Sequence, residues 1–148
     1  GWSDTYYHAS GHNGTCKSGK TCNKNFNSIG LRGWWRPDDA GTAVPTISLG
    51  YDTTSYDGAT SATETSNAYF VGLNWVDTFQ ADDKIGIAFG QPTSNEDASY
   101  DPFAWEAYYS FKPNDSVTVK PAIFGGSDRT GTAGADIFGT LLETTFKF

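Results

Sequence analysis

The stretch Phe103-Ala-Trp-Glu-Ala-Tyr-Tyr-Ser-Phe-Lys-Pro-Asn-Asp-Ser-Val-Thr-Val-Lys-Pro-Ala-Ile123 decides the fold class. Phe103, Trp105, Ala107, Tyr109 and Phe111 alternate with Ala104, Glu106, Tyr108 and Ser110. Val117, Val119, Pro121 and Ile123 then alternate with Thr118, Lys120 and Ala122. A period of two sends successive side chains to opposite faces, so each half reads as a β-strand. The link Lys112–Ser116 reads as a tight turn, because Pro113 pre-sets φ and Asn114 or Asp115 tolerates the left-handed region. The two halves form a hairpin, with Phe111 expected opposite Val117. That register sets Glu106 opposite Ala122 and Lys120 opposite Tyr108.

The same alternation recurs outward in both directions. Ile29 to Trp35, Pro45 to Tyr51, Tyr69 to Trp75, Ile85 to Phe89 and Phe138 to Phe148 each show it, making seven strands with the hairpin. Trp2 to Tyr7 is a candidate eighth. No helix competes, because apolar residues do not recur at three-and-four spacing and glycine interrupts nearly every segment. No linker or shift in composition divides the chain, so residues 1–148 read as one domain.

Composition narrows the classes. The chain is 37% hydrophobic, 16% aromatic and carries a net charge of −7. An acidic balance argues against nucleic acid as a partner. The aromatic content argues against disorder. No run of eighteen apolar residues exists, which excludes a transmembrane helix but not a transmembrane barrel, whose strands are amphipathic. The first residue is Gly1 rather than methionine, so the chain is expected to be a processed product or an internal piece.

One face of every strand is bulky and aromatic. The other is mostly Gly, Ala, Ser, Thr and Asn with Arg32, Glu106, Lys120, Glu143 and Lys147. A sandwich with its apolar faces inward and a barrel with its apolar face outward give the same pattern, and the strand ends are the discriminator. Trp35, Trp75, Phe111 and Phe148 fall at one rim on the outward face, as an aromatic girdle at a membrane interface would. Connections at that rim are expected to be short: Arg36 to Gly41, Val76 to Asp83 and Lys112 to Ser116. Those at the opposite rim are expected to be long: Asp52 to Ala62, Gln91 to Pro102 and Gly125 to Ala135. Segregation of this kind marks outer-membrane barrels.

The segment Gly72-Leu-Asn-Trp-Val-Asp-Thr-Phe-Gln-Ala-Asp-Asp-Lys-Ile-Gly-Ile-Ala-Phe-Gly-Gln-Pro92 resembles the penultimate hairpin region of cyanobacterial outer-membrane porins, relatives of the carbohydrate-selective porins. So do the Phe103–Ile123 stretch and the ending Gly139-Thr-Leu-Leu-Glu-Thr-Thr-Phe-Lys-Phe148. The resemblance covers residues 65 to 148, while residues 1 to 64 fit only in style. It implies an all-β, antiparallel transmembrane β-barrel, or the C-terminal portion of a larger one, with long outer loops and short periplasmic turns. It also implies passive diffusion of ions and small polar solutes, an outer-membrane location and contact with lipid. The remainder of the same barrel, or a second fragment, is the expected partner, and a trimer is the family's analogy. The family's cell-wall-anchoring module and coiled coil are absent from this stretch. Seven strands cannot close a normal bacterial barrel, whereas eight could, with little pore.

On this reading Arg32, Glu106, Lys120, Glu143 and Lys147 line the pore. Each is equally a solvated polar position on any sheet. Asp38–Asp39 and Asp82–Asp83 read as turn residues rather than calcium ligands, lacking oxygens at loop spacing. The loop acids Asp52, Asp57, Glu64, Glu96, Asp97 and Asp101 would make one rim negative. Cys16 and Cys22 read as a disulfide closing a small polar loop, with half of a metal site as the rival reading. His8 and His12 form no catalytic set. No phosphate-binding glycine loop, His-Glu-x-x-His run or Gly-x-Ser-x-Gly context is present, so no enzyme, metal or cofactor is expected. Two alternatives to the channel stay open: a secreted or surface carbohydrate-binding β-sandwich whose aromatics stack on sugars, and a small closed structural barrel.

Overall fold

A computed structural model describes residues 25–38, 43–57, 65–95, 99–128 and 133–148. Seven strands follow one another: β1 (Asn25–Trp35), β2 (Thr46–Asp57), β3 (Thr65–Val76), β4 (Lys84–Asn95), β5 (Phe103–Asn114), β6 (Val117–Ser127) and β7 (Ile137–Phe146). They form one antiparallel meander in the order β1-β2-β3-β4-β5-β6-β7. The expected all-β, antiparallel character holds. Trp2 to Tyr7, Cys16 and Cys22 lie outside the described residues.

The strands do not close into a barrel. β1 and β7 stand at opposite ends of the strand order and are not paired with each other. The sheet is open, so its described residues enclose no lumen. This overturns the transmembrane-barrel reading and, with it, the porin channel, ion and solute permeation, the lipid and trimeric partners, completion by the remainder of a barrel, and the outer-membrane location. A channel needs a closed wall, and the described strands form none. Among the described residues no helix is long and apolar enough to cross a membrane, a fact that bears on helices alone.

The strands also run further than alternation foretold. β2, β4 and β6 continue to Asp57, Asn95 and Ser127, well into segments expected to be long loops. The links at that end are residues 58–64, 96–102 and 128–136, while those at the other are 36–45, 77–83 and 115–116. The short-against-long segregation therefore disappears. Its cause is local: Thr53-Thr54-Ser55 on β2 and Thr65-Ser66-Asn67 on β3 are polar on both faces. They pair through backbone hydrogen bonds, which require no apolar pattern.

The β5–β6 register is likewise corrected. Phe111 lies opposite Val119, Tyr108 opposite Ala122 and Glu106 opposite Phe124, with an irregularity between Phe111 and Asn114. β5 runs through Lys112-Pro113, leaving Asp115-Ser116 as the turn. Pro113 cannot donate to the ladder and sits within the irregular step, where a sheet tolerates it. The Ser116 N–H donates to Asn114 Oδ1 at 3.0 Å, closing the turn.

The two faces differ in enclosure. Among the described residues Ala68 is the one buried hydrophobic side chain. The face of Leu31, Leu49, Ile87, Phe138 and Leu142 is bare, with Leu31 63% and Phe138 70% exposed. The opposite face carries Ser66 and Ala68, both buried, together with the buried glycines Gly50, Gly86 and Gly90.

Candidate functional site

The polar face is built from a simple exchange: where one strand supplies a glycine, its neighbour supplies a ring. Phe70 lies opposite Gly50, and Tyr108 opposite Gly86. Phe124 lies opposite Gly139. In each pair the ring occupies the space that a Cβ on the glycine would take. Trp105 rests on Gly125 in the same manner on the other face. A ring lowered onto the backbone presents its flat side across the strand rather than standing off the sheet. Here the glycines serve as seats.

Charged side chains border these rings. Arg32 and Asp52 form a two-pronged pair, Nη1 donating to Oδ1 at 3.0 Å and Nη2 to Oδ2 at 2.7 Å. The guanidinium carbon is 5.7 Å from the centre of the Phe70 ring. Lys120 pairs with Glu143, directly opposite on β7, at 2.9 Å. Its Nζ is 5.4 Å from the centre of the Tyr108 ring. Asn74 Nδ2 donates to the Tyr108 hydroxyl at 2.7 Å. The hydrogen bond to Glu143 holds the Lys120 ammonium above the usual lysine range despite opposing burial, with Glu143, Tyr108 and Glu106 adding to the effect. Both pairs are partly open to water, and such pairs contribute roughly 0.2–1 kcal/mol each. Their value to a site lies in oriented donors and acceptors.

Of the residues expected to line a pore, Arg32, Glu106, Lys120 and Glu143 share this face. Lys147 lies beyond the end of β7, where its N–H donates to the Ser116 carbonyl at 2.8 Å. Lys120, expected opposite Tyr108, stays near that ring and takes its ion-pair partner, Glu143, from β7. Trp35, Trp75 and Phe111 occupy the apolar face near one end of the sheet, and Phe148 follows β7 there, stacked on Phe146. Asp52, expected in a loop, is a strand residue and the partner of Arg32. Its signal was the hairpin register, which sets Arg32 opposite Gly50 and so brings Asp52 diagonally beside it. Alternation puts Phe70 and Tyr108 on this face, but Phe124 lay past the expected end of its strand, and none of the three was marked as a ring seated on a glycine.

Asp83 is a second polar centre, at the sheet end. Fully buried, it accepts hydrogen bonds from the backbone N–H groups of Thr78 (2.6 Å), Phe79 (2.9 Å) and Gln80 (3.1 Å) and from the Tyr109 hydroxyl (3.0 Å). Burial pushes its carboxyl upward, but these four donors outweigh that and hold it below the ordinary range. Burial, with the Asp83 carboxylate beside it, pushes the Tyr109 hydroxyl up. The turn 77–83 also uses Asp77 and Asp82 at positive φ, 54° and 66°. Asp77 accepts from the Asp82 N–H at 2.7 Å. The acidic pair Asp82–Asp83 is thus turn chemistry. Among the described residues no group of three or more metal-ligating side chains comes together.

No family model, no curated protein and no solved structure matches this chain. The resemblance to outer-membrane porins therefore has no support from the comparisons and is contradicted by the open sheet. Alternating strands with aromatic ends arise from the general physics of a two-faced sheet, and short motifs of that kind are not specific to one family.

Proposed function

We propose that the chain is a non-catalytic carbohydrate-binding module, with the polar face of the sheet as its binding surface. The observation that carries this reading is the set of rings seated on glycines beside paired charges. A sugar offers flat apolar C–H faces and a rim of hydroxyls. Rings laid onto the sheet meet the first, and their electron-rich faces attract the slightly positive C–H groups. The Arg32–Asp52 and Lys120–Glu143 pairs and Asn74 meet the second with donors and acceptors already oriented. Each pair is internally neutral, which suits an uncharged ligand better than an ionic one.

The sandwich form of this reading is revised, since a single sheet carries the surface. Phe124 is the test residue, being 36% exposed and opposite Glu106. Phe124→Ala is expected to weaken binding of a neutral β-1,4-glucan about tenfold, a loss of about 1.4 kcal/mol, while the far-ultraviolet circular dichroism of the sheet is retained. Affinity electrophoresis in gels containing the soluble glucan measures it. Wild-type mobility unaffected by glucan of any kind would remove the proposal.

A further inference from the structure

The polar face carries the same four components twice. In one place they are a glycine seat (Gly50), a ring (Phe70), a cation beside the ring (Arg32) and a carboxylate paired to that cation (Asp52). In the other they are Gly86, Tyr108, Lys120 and Glu143. The first is assembled from β1, β2 and β3 and the second from β4, β5, β6 and β7, with no residue in common. Phe70 lies opposite Gly90, which lies opposite Ala104, four residues along β5 from Tyr108. Two strand spacings across the sheet and four residues along it set the two rings about 17 Å apart.

We infer that these are two separate subsites for one neutral glycan chain, which the sheet engages bivalently. This rests on the carbohydrate-binding reading above and adds to it the number of subsites and the minimum length of the ligand. The sheet holds the subsites at a fixed distance, so the second contact of a long ligand is intramolecular. Its effective concentration is then set by the ligand's reach, and affinity rises steeply once the ligand spans both. Between the subsites the face carries small residues, Gly72 on β3 and Ala88 opposite it on β4. A β-1,4-linked glucan, with its ring substituents equatorial and its C–H faces flat, is the matching chemical class. A disaccharide is too short to span the gap, whereas a hexasaccharide reaches both ends.

Calorimetric titration with the β-1,4-linked glucose disaccharide and hexasaccharide tests the inference. Wild type is expected to take two disaccharides per chain but one hexasaccharide, the latter about 10²-fold more tightly. Phe70→Ala and Tyr108→Ala are each expected to leave one disaccharide per chain and to bring the hexasaccharide down to within threefold of the disaccharide. Circular dichroism checks that each variant keeps its sheet. Arg32→Gln and Lys120→Gln, which leave the rings in place, supply the same comparison should a ring variant fail to fold. One disaccharide per wild-type chain, abolished by a change in a single subsite, would overturn bivalency and leave the binding function standing. No binding of either sugar by wild type would overturn both.

Discussion

Gly90→Ala is expected to destabilise the sheet by about 2–3 kcal/mol, whereas Gly33→Ala is expected to stabilise it by about 0.5 kcal/mol. Both are glycines inside strands, and intrinsic propensity favours alanine at both. The difference lies in what the new Cβ meets. At Gly90 it would run into the Tyr69 carbonyl oxygen and the Phe70 Cα, both backbone atoms of β3. No rotamer change relieves that, so the strands would have to move apart. β3 already shifts register between Asn67 and Tyr69 at this point. At Gly33 nothing lies within 4 Å of the new atom. The gain there comes from the unfolded chain, whose freedom alanine reduces. Urea unfolding followed by tryptophan fluorescence compares the two. Equal midpoints for the two variants would show that β3 and β4 do not approach as closely as described.

Asp83→Ala should lower the melting temperature by about 10 °C, the second large effect. The substitution removes the common acceptor of three backbone N–H groups and the Tyr109 hydroxyl. These donors converge on a buried point, and unpaired buried donors are costly. Tyr109→Phe removes one of the four bonds and is expected to lower the melting temperature by a third as much or less. The pH dependence follows from the direction of the shift. The folded carboxyl titrates below its ordinary value, so its contribution is complete above the unfolded pKa. It is lost as pH falls from about 4 through the lowered folded value. The gap in melting temperature between wild type and Asp83→Ala should therefore be constant from pH 7 to about 5 and narrow in stronger acid. A gap that stays constant down to pH 2 would mean that the Asp83 charge does not hold the turn.

Glu106 and Lys120 illustrate how far the chain could be read without its structure. Their alternation placed both on one face, and both are there. Their partners could not be read in the same way. A two-residue error in the β5–β6 register follows from one choice, whether the strand ends before or after Lys112-Pro113. That choice depends on whether an irregular step costs less than a longer turn. Alternation is silent on it, because a slip of two keeps every side chain on its own face. The strand ends at Asp57, Asn95 and Ser127 were hidden for a related reason, since a strand polar on both faces has no period to detect.

The seven strands, their antiparallel succession and the division of each into an apolar and a polar face follow from residue order alone. These are local properties, written in residue type and spacing, and the backbone must realise them wherever the chain goes. The open edge of the sheet, the pairing of Asp52 with Arg32 and of Glu143 with Lys120, and the seating of Phe70, Tyr108 and Phe124 on glycines emerge only once the strands are brought together. Closure depends on whether two edges far apart in sequence meet, which is set by the twist and coiling accumulated over all seven strands. Ion pairs and ring seats depend on register between strands, where shifts of two residues preserve every face and change every neighbour.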